Sequence, residues 1–235
     1  MTHTQINAFL KEQARAAAQV PDARLLNSIA GSLPLRPKPV RPLLSDALLA
    51  SGVFLACALV AIGGGWRAGF NGFQKMDWLM RGSIFIMETL LLWFAGTEFL
   101  RSMIPGSRRR LSSTGVLGLC CILLLAVFGL LFREPRSADF LHSGIACLTT
   151  GFLHAVPAAL LSWIVLRRGF AVSPLASGML AGTAAGLAGV GVLEFHCTNF
   201  EAAHVLLWHV AVVPLTAATG AAVAVLSRAL SRLRA

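Results

Sequence analysis

The sequence predicts an all-α polytopic membrane protein, a six-helix transmembrane bundle with a short amphipathic helical N-terminal tail. Three observations carry this. Apolar segments of about twenty residues, the length that crosses a bilayer core, recur at roughly 45–65, 82–100, 113–132, 143–166, 174–194 and 202–227. The 235-residue chain is 56% hydrophobic and 13% charged, with a mean hydropathy of +0.73, well outside the range of soluble enzymes. Its net charge of +10 is also sorted by side. An even number of spans puts both termini on one side. Of the twenty Lys and Arg residues, only Arg67, Lys75, Arg81, Arg133 and Arg136 fall on the other. Positive charge stays cytoplasmic, so both termini are expected inside. The same sorting removes the nucleic-acid reading that a basic chain invites, and it accounts for Arg108–Arg110 without RNA.

Three segments follow: a cytoplasmic tail over 1–42, the transmembrane domain over 43–227 and a short cytoplasmic tail over 228–235. In the first, Ile6, Phe9, Leu10, Ala14 and Ala17 recur at helical steps. Pro21 ends that helix, and a second starting at Pro21–Asp22 carries Leu25, Leu26, Ile29 and Leu33. Pro34, Pro37, Pro39 and Pro42 then form an extended tether. Two such helices are too small to bury their apolar faces on each other. The faces dock on the membrane surface or on a cytoplasmic partner with a helix-accepting groove. No cleavable leader is expected, because the first apolar span starts more than forty residues in.

Trp66, Trp78 and Trp163 sit at span ends as interfacial anchors. Span 5 carries Gly178, Gly182 and Gly186, a small-residue ridge that admits a close helix neighbour. Pro157 and Pro214 are expected to kink spans 4 and 6. Glu98 can pair with Arg101 one turn on. Glu88 and His154 lie deeper, and fit either a proton or cation relay or a hydrogen bond between two helices. Cys57, Cys120 and Cys121 fall inside apolar spans and read as inert packing residues.

Cys147 and Cys197 differ. Spans 4 and 5 form a hairpin turning on the cytoplasmic side, so both thiols belong to one outer layer, with His142, His196, His204, Glu194 and Glu201 around them. Thr198-x-x-Glu201 reads as a capping box opening span 6, which would place Cys197 at a positive dipole end and lower its thiol pKa. An oxidising compartment permits a disulfide, while thiolate with imidazole from His142, His196 or His204 suits copper, zinc or another soft metal. The plain alternative is a buried thiol among unrelated interfacial histidines.

The stretch from Gly144 to about Val213 resembles the NrsF-type anti-sigma factors. The matching pieces are Ala146-Cys147-Leu148, Pro157, Leu166-Arg167-Arg168-Gly169 leading to Pro174, the glycine-rich Gly178–Gly189 span, His196-Cys197 and Trp208. Two departures stand out: His209 follows the tryptophan where an aromatic is usual, and Leu193-Glu194-Phe195 is more acidic. The resemblance implies a bacterial inner-membrane protein that tethers an ECF-type sigma factor at its cytoplasmic face, with Cys147 and Cys197 taking part in sensing oxidative or metal stress. On that reading the tail supplies the sigma-docking surface through Phe9, Leu10, Leu25, Leu26 and Ile29. Membrane lipid is the other partner, and no cofactor is obligatory. The competing reading is a small transporter or metal-handling carrier using Glu88, His154 and the outer Cys/His layer. An enzyme is not expected, since no CxxC pair, triad, phosphate loop or HExxH motif is present.

Overall fold

The computed structural model describes residues 5, 7–9, 11, 12, 46–103, 110–135, 139–168 and 173–233. The chain divides into two compact units, Met1–Leu43 and Leu44–Ala235. In the first, the described positions are helical and exposed, Phe9 among them. Leu10, Leu25, Leu26 and Ile29 lie outside the described residues.

The second unit is a helical bundle. Its elements are α1 (Asp46–Ala68), α2 (Asn71–Lys75), α3 (Trp78–Arg101), α4 (Ser113–Leu131), α5 (Phe140–Arg168), α6 (Pro174–His196), α7 (Ala202–His204), a π turn (Val205–His209) and α8 (Val210–Leu233). Six stretches are long and apolar enough to cross a membrane: Ser51–Ala68, Trp78–Arg101, Ser113–Leu131, Phe140–Leu166, Pro174–His196 and Ala202–Leu230. These are the six expected spans, shifted by a few residues at their ends. The only pairing outside helices among the described residues is an isolated parallel bridge between Glu134 and Glu201.

Local chemistry fixes several helix starts. Asp77 caps α3 by accepting from the Met80 amide at 2.8 Å, and Ser112 caps α4 by accepting from Gly115 at 3.0 Å. In α6 the cap is Ser173, with Pro174 in the first turn where its missing N–H costs nothing. Both α5 and α8 continue through Pro157 and Pro214.

The bundle is built around α6. Its span is 89% buried, against 22% for that of α4, so α6 is the axis and the other helices are its walls. Outward-facing Leu55, Leu59, Ile86, Leu90, Ile122, Leu130, Leu153, Leu160 and Leu226 stay exposed. Such a surface suits lipid tails as solvent, and the protein is a multi-pass membrane protein. With no hydrophobic drive between helices in lipid, close backbone approach holds the bundle together. A side chain on Gly178 would run into the Gly220 carbonyl, one on Gly182 into the Thr216 carbonyl, and one on Gly186 into the Thr216 hydroxyl. The glycine ridge therefore docks on α8. Gly189, on another side of α6, meets the Gly151 carbonyl of α5 in the same way. Gly182→Leu should force α6 and α8 apart and cost about 1–3 kcal/mol, as overpacking usually does. A lowered unfolding midpoint of the purified protein in detergent is the expected readout.

The end of the bundle where α1 starts and α8 finishes carries a small polar knot. Glu98 is fully buried, pairs with Arg101 at 2.7 Å as its i,i+3 spacing predicts, and accepts from the Arg110 amide at 3.1 Å. Ser102 of the segment after α3 donates to Ser177 of α6 at 2.9 Å.

At the opposite end, called the thiol end here, the segment between α6 and α7 is clamped from two sides. Gly72 of α2 lies against the carbonyls of Glu194 and Cys197, where no side chain fits. Phe195 stacks on Phe85 at 4.7 Å and meets Phe70 edge-on at 5.3 Å. From the other side, Ala202 donates its amide to the Glu134 carbonyl at 3.2 Å, and Phe132 packs edge-on against Phe200 at 5.4 Å.

Candidate functional site

Four side chains converge at the thiol end. Cys147 lies two turns into α5. Cys197 is the residue that stops α6, with an extended backbone (φ −69°, ψ 125°) and its amide still bonded to the Leu193 carbonyl at 2.7 Å. His204 ends α7, and His209 ends the π turn. The two sulfurs are 3.5 Å apart, and Cys197 Sγ is 3.7 Å from His204 Nε2. One ligand-type atom from each of the four residues lies within 4.8 Å of all the others. Cys197, His204 and His209 are buried, and Cys147 is half-buried. All five cysteines are free thiols, and Cys57 and Cys120 are buried elsewhere in the bundle.

The π turn makes this convergence possible. His204 and His209 are five residues apart, which on an α-helix at 3.6 residues per turn puts them about 140° apart. A π turn is wider, and it brings positions i and i+5 to the same side. Their rings meet edge-on at 5.4 Å. Gly144 supplies the other half of the fit, because a side chain there would occupy the position of the Trp208 indole. Trp208 therefore seats against α5 one turn before Cys147, beside Phe140 at 5.7 Å.

Glu194 stands behind His209. Its Oε1 is 2.6 Å from His209 Nδ1, with both side chains buried. The other ring nitrogen, His209 Nε2, is buried and makes no hydrogen bond of good geometry, while the ring lies close enough to Cys197 to act on its thiol.

The sequence reading is corrected at two points here. Thr198 does not open a helix: the chain from 197 to 201 is extended, Glu201 donates its amide to the Asn199 side chain at 2.9 Å, and α7 starts only at Ala202. Cys197 sits at the C-terminal end of α6 and not just before a helix N-terminus, so no positive dipole end lowers its thiol. The contact with Cys147 and burial push its thiol up from the ordinary value, and His204 and His209 offset this only in part.

Of the histidines considered from sequence, His204 joins the cluster. His142 is exposed on the first turn of α5, and His196 is half-buried at the end of α6; neither belongs to the four-residue group. His209 is the member that sequence reasoning missed, and Glu194 stood out only as a neighbour. Glu88 and His154 do not pair with each other. His154 Nδ1 meets the Thr150 carbonyl of its own helix at 2.8 Å. Glu88 lines a cavity of about 140 Å³ between α1, α3 and α6.

The family model of NrsF, described as "Negative regulator of sigma F", matches residues 30–228. The chain belongs to the NrsF family. The match takes in the whole bundle through Arg228, including Cys147, Cys197, His204, His209 and Glu194, and it confirms the resemblance drawn from Gly144–Val213. A negative regulator of a sigma factor has a sigma factor as its partner, so NrsF membership places this protein among regulators rather than known enzymes. In this NrsF protein Phe9, Leu10, Leu25, Leu26 and Ile29 all precede the matched region. No curated protein and no solved structure matches the chain.

Proposed function

We propose that this NrsF-family protein is an inner-membrane anti-sigma factor. It holds an ECF-type sigma factor at the cytoplasmic face and releases it when oxidant or a thiophilic metal reaches Cys147 and Cys197 from the periplasm. The family match carries the regulatory half of this reading. The sulfur pair supports the sensing half: two free thiols 3.5 Å apart, from elements fifty residues apart in sequence, are poised for joint chemistry. Orientation follows from charge, with fifteen of twenty Lys and Arg residues on the side of the termini.

A change at the sulfurs has a route to the other end. Cys147 is on α5 and Cys197 ends α6, the bundle axis. The π turn feeds directly into α8, which locks onto α6 through the glycine ridge. Any shift of α8 along that ridge moves its C-terminal end on the proposed cytoplasmic side.

Reporter fusions at residues 138 and 235 should give opposite compartment signals. A small sigma factor encoded in the neighbouring reading frame should co-purify with the full chain from membranes. Matching reporter signals would overturn the topology, and absence of the sigma factor from the purified complex would overturn the anti-sigma assignment.

A further inference from the structure

We propose that Cys147, Cys197, His204 and His209 form a closed four-coordinate site for a divalent ion of the zinc class, with Glu194 as the carboxylate that orients His209. The proposal deepens the sensing reading and rests on it for its regulatory meaning, although ion binding is measurable without any sigma factor.

Two of the six edges of a tetrahedron are already at ligand spacing, and the remaining separations are at most 4.8 Å. Bond lengths of about 2.3 Å to sulfur and about 2.0–2.1 Å to nitrogen give edges of about 3.8 Å between sulfurs and about 3.6 Å between sulfur and nitrogen. The corresponding separations are 3.5 Å for Cys147–Cys197 and 3.7 Å for Cys197–His204. The fourth corner is independently marked. His209 Nε2 is buried without a hydrogen bond of good geometry, and its ring belongs to the same close group as the two sulfurs, so an ion there would satisfy it. With Glu194 ionised and accepting from Nδ1–H, the neutral ring carries its lone pair on Nε2, the carboxylate–histidine arrangement found behind metal ligands.

Charge selects the ion. Two thiolates with a divalent cation sum to zero, so that only the hydrogen-bonded Glu194 carboxylate carries net charge in the mostly buried site. A monovalent ion such as Cu(I) would leave a net negative charge in that surrounding, next to the Glu194 carboxylate. Four protein ligands leave no open position, so the site holds an ion and does not present it to a substrate. Because His204 and His209 reach the ion only through the π turn, binding fixes that turn in its wide form and ties it to α5 and to the end of α6.

The test uses the full-length protein in detergent, reduced with a phosphine and kept anaerobic, titrated with Co²⁺ and then Zn²⁺. Co²⁺ should bind one per chain, with the intense visible bands of a tetrahedral site and a sulfur charge-transfer band, and Zn²⁺ should displace it. His209→Ala and His204→Ala should lose the tetrahedral bands. Glu194→Gln, which keeps the side-chain shape, should retain them with affinity about 10–100-fold weaker. Circular dichroism verifies that each variant is folded. Absence of Co²⁺ binding by the folded wild type would overturn the proposal. So would unchanged bands in a His204→Ala/His209→Ala double variant, since the ion would then be held by the thiols alone. A wild type that binds Co²⁺ as expected but holds no sigma factor would leave the site standing and remove only its regulatory meaning.

Discussion

Cys147→Ser and Cys197→Ser, singly or together, should reduce induction by oxidant or soft metal to the basal level while leaving sigma-factor binding intact. Either replacement removes one sulfur of a pair 3.5 Å apart, which ends both disulfide formation and co-ligation. Serine keeps the shape and exchanges a weak donor for a stronger one, so the fold should survive. Cys57→Ser and Cys120→Ser are the controls. Their side chains are buried on α1 and α4 (1% and 0% exposed), away from the thiol-end cluster, and induction should be unchanged in both. Sigma-dependent reporter activity, read with and without inducer, separates the outcomes. Normal induction in the double variant would end the proposed role of the pair.

Deleting residues 1–33 should release the sigma factor without any inducer, giving constitutive reporter activity. The apolar positions Phe9, Leu10, Leu25, Leu26 and Ile29 are too few to form a core of their own, and the described part of that segment leaves Phe9 53% exposed. Apolar residues recurring at helical steps on the proposed cytoplasmic side fit a groove-type partner. Truncating a well-packed Leu costs roughly 2–5 kcal/mol, or about 30-fold to several thousand-fold in affinity. Leu25→Ala with Leu26→Ala should therefore weaken a micromolar complex beyond use. The family match begins at residue 30, so the docking segment would be a feature of this chain outside the matched region. A sigma factor that stays membrane-bound and silent after the deletion would move the docking surface to the loops after α3 and α5.

The architecture was legible because lipid imposes length and polarity so strictly. Six apolar runs gave six spans, the Gly178–Gly186 ridge gave a close helix contact, and Glu98–Arg101 gave a local ion pair, all from spacing along one helix. The site was legible only to the level of a shared layer. Hairpin topology put Cys147 and Cys197 at one end, but their separation depends on how α5 and the end of α6 pack. The supposed cap at Thr198 failed because tertiary contacts hold that segment extended: Gly72 of α2 on one side, Glu134 on the other. His209 was missed because α-helical periodicity turns it away from His204. Only the π turn restores them to one side, and that turn has no signature in the sequence.

The proposed switch requires communication between the thiol end and the sigma factor. The direct measurement is co-sedimentation of sigma factor with membranes carrying the full chain, before and after exposure to oxidant or zinc-class metal, for the wild type and the Cys147→Ser/Cys197→Ser variant. The account predicts that both retain the sigma factor at rest and that only the wild type releases it on exposure. Equal release from both, or retention by both, would contradict it.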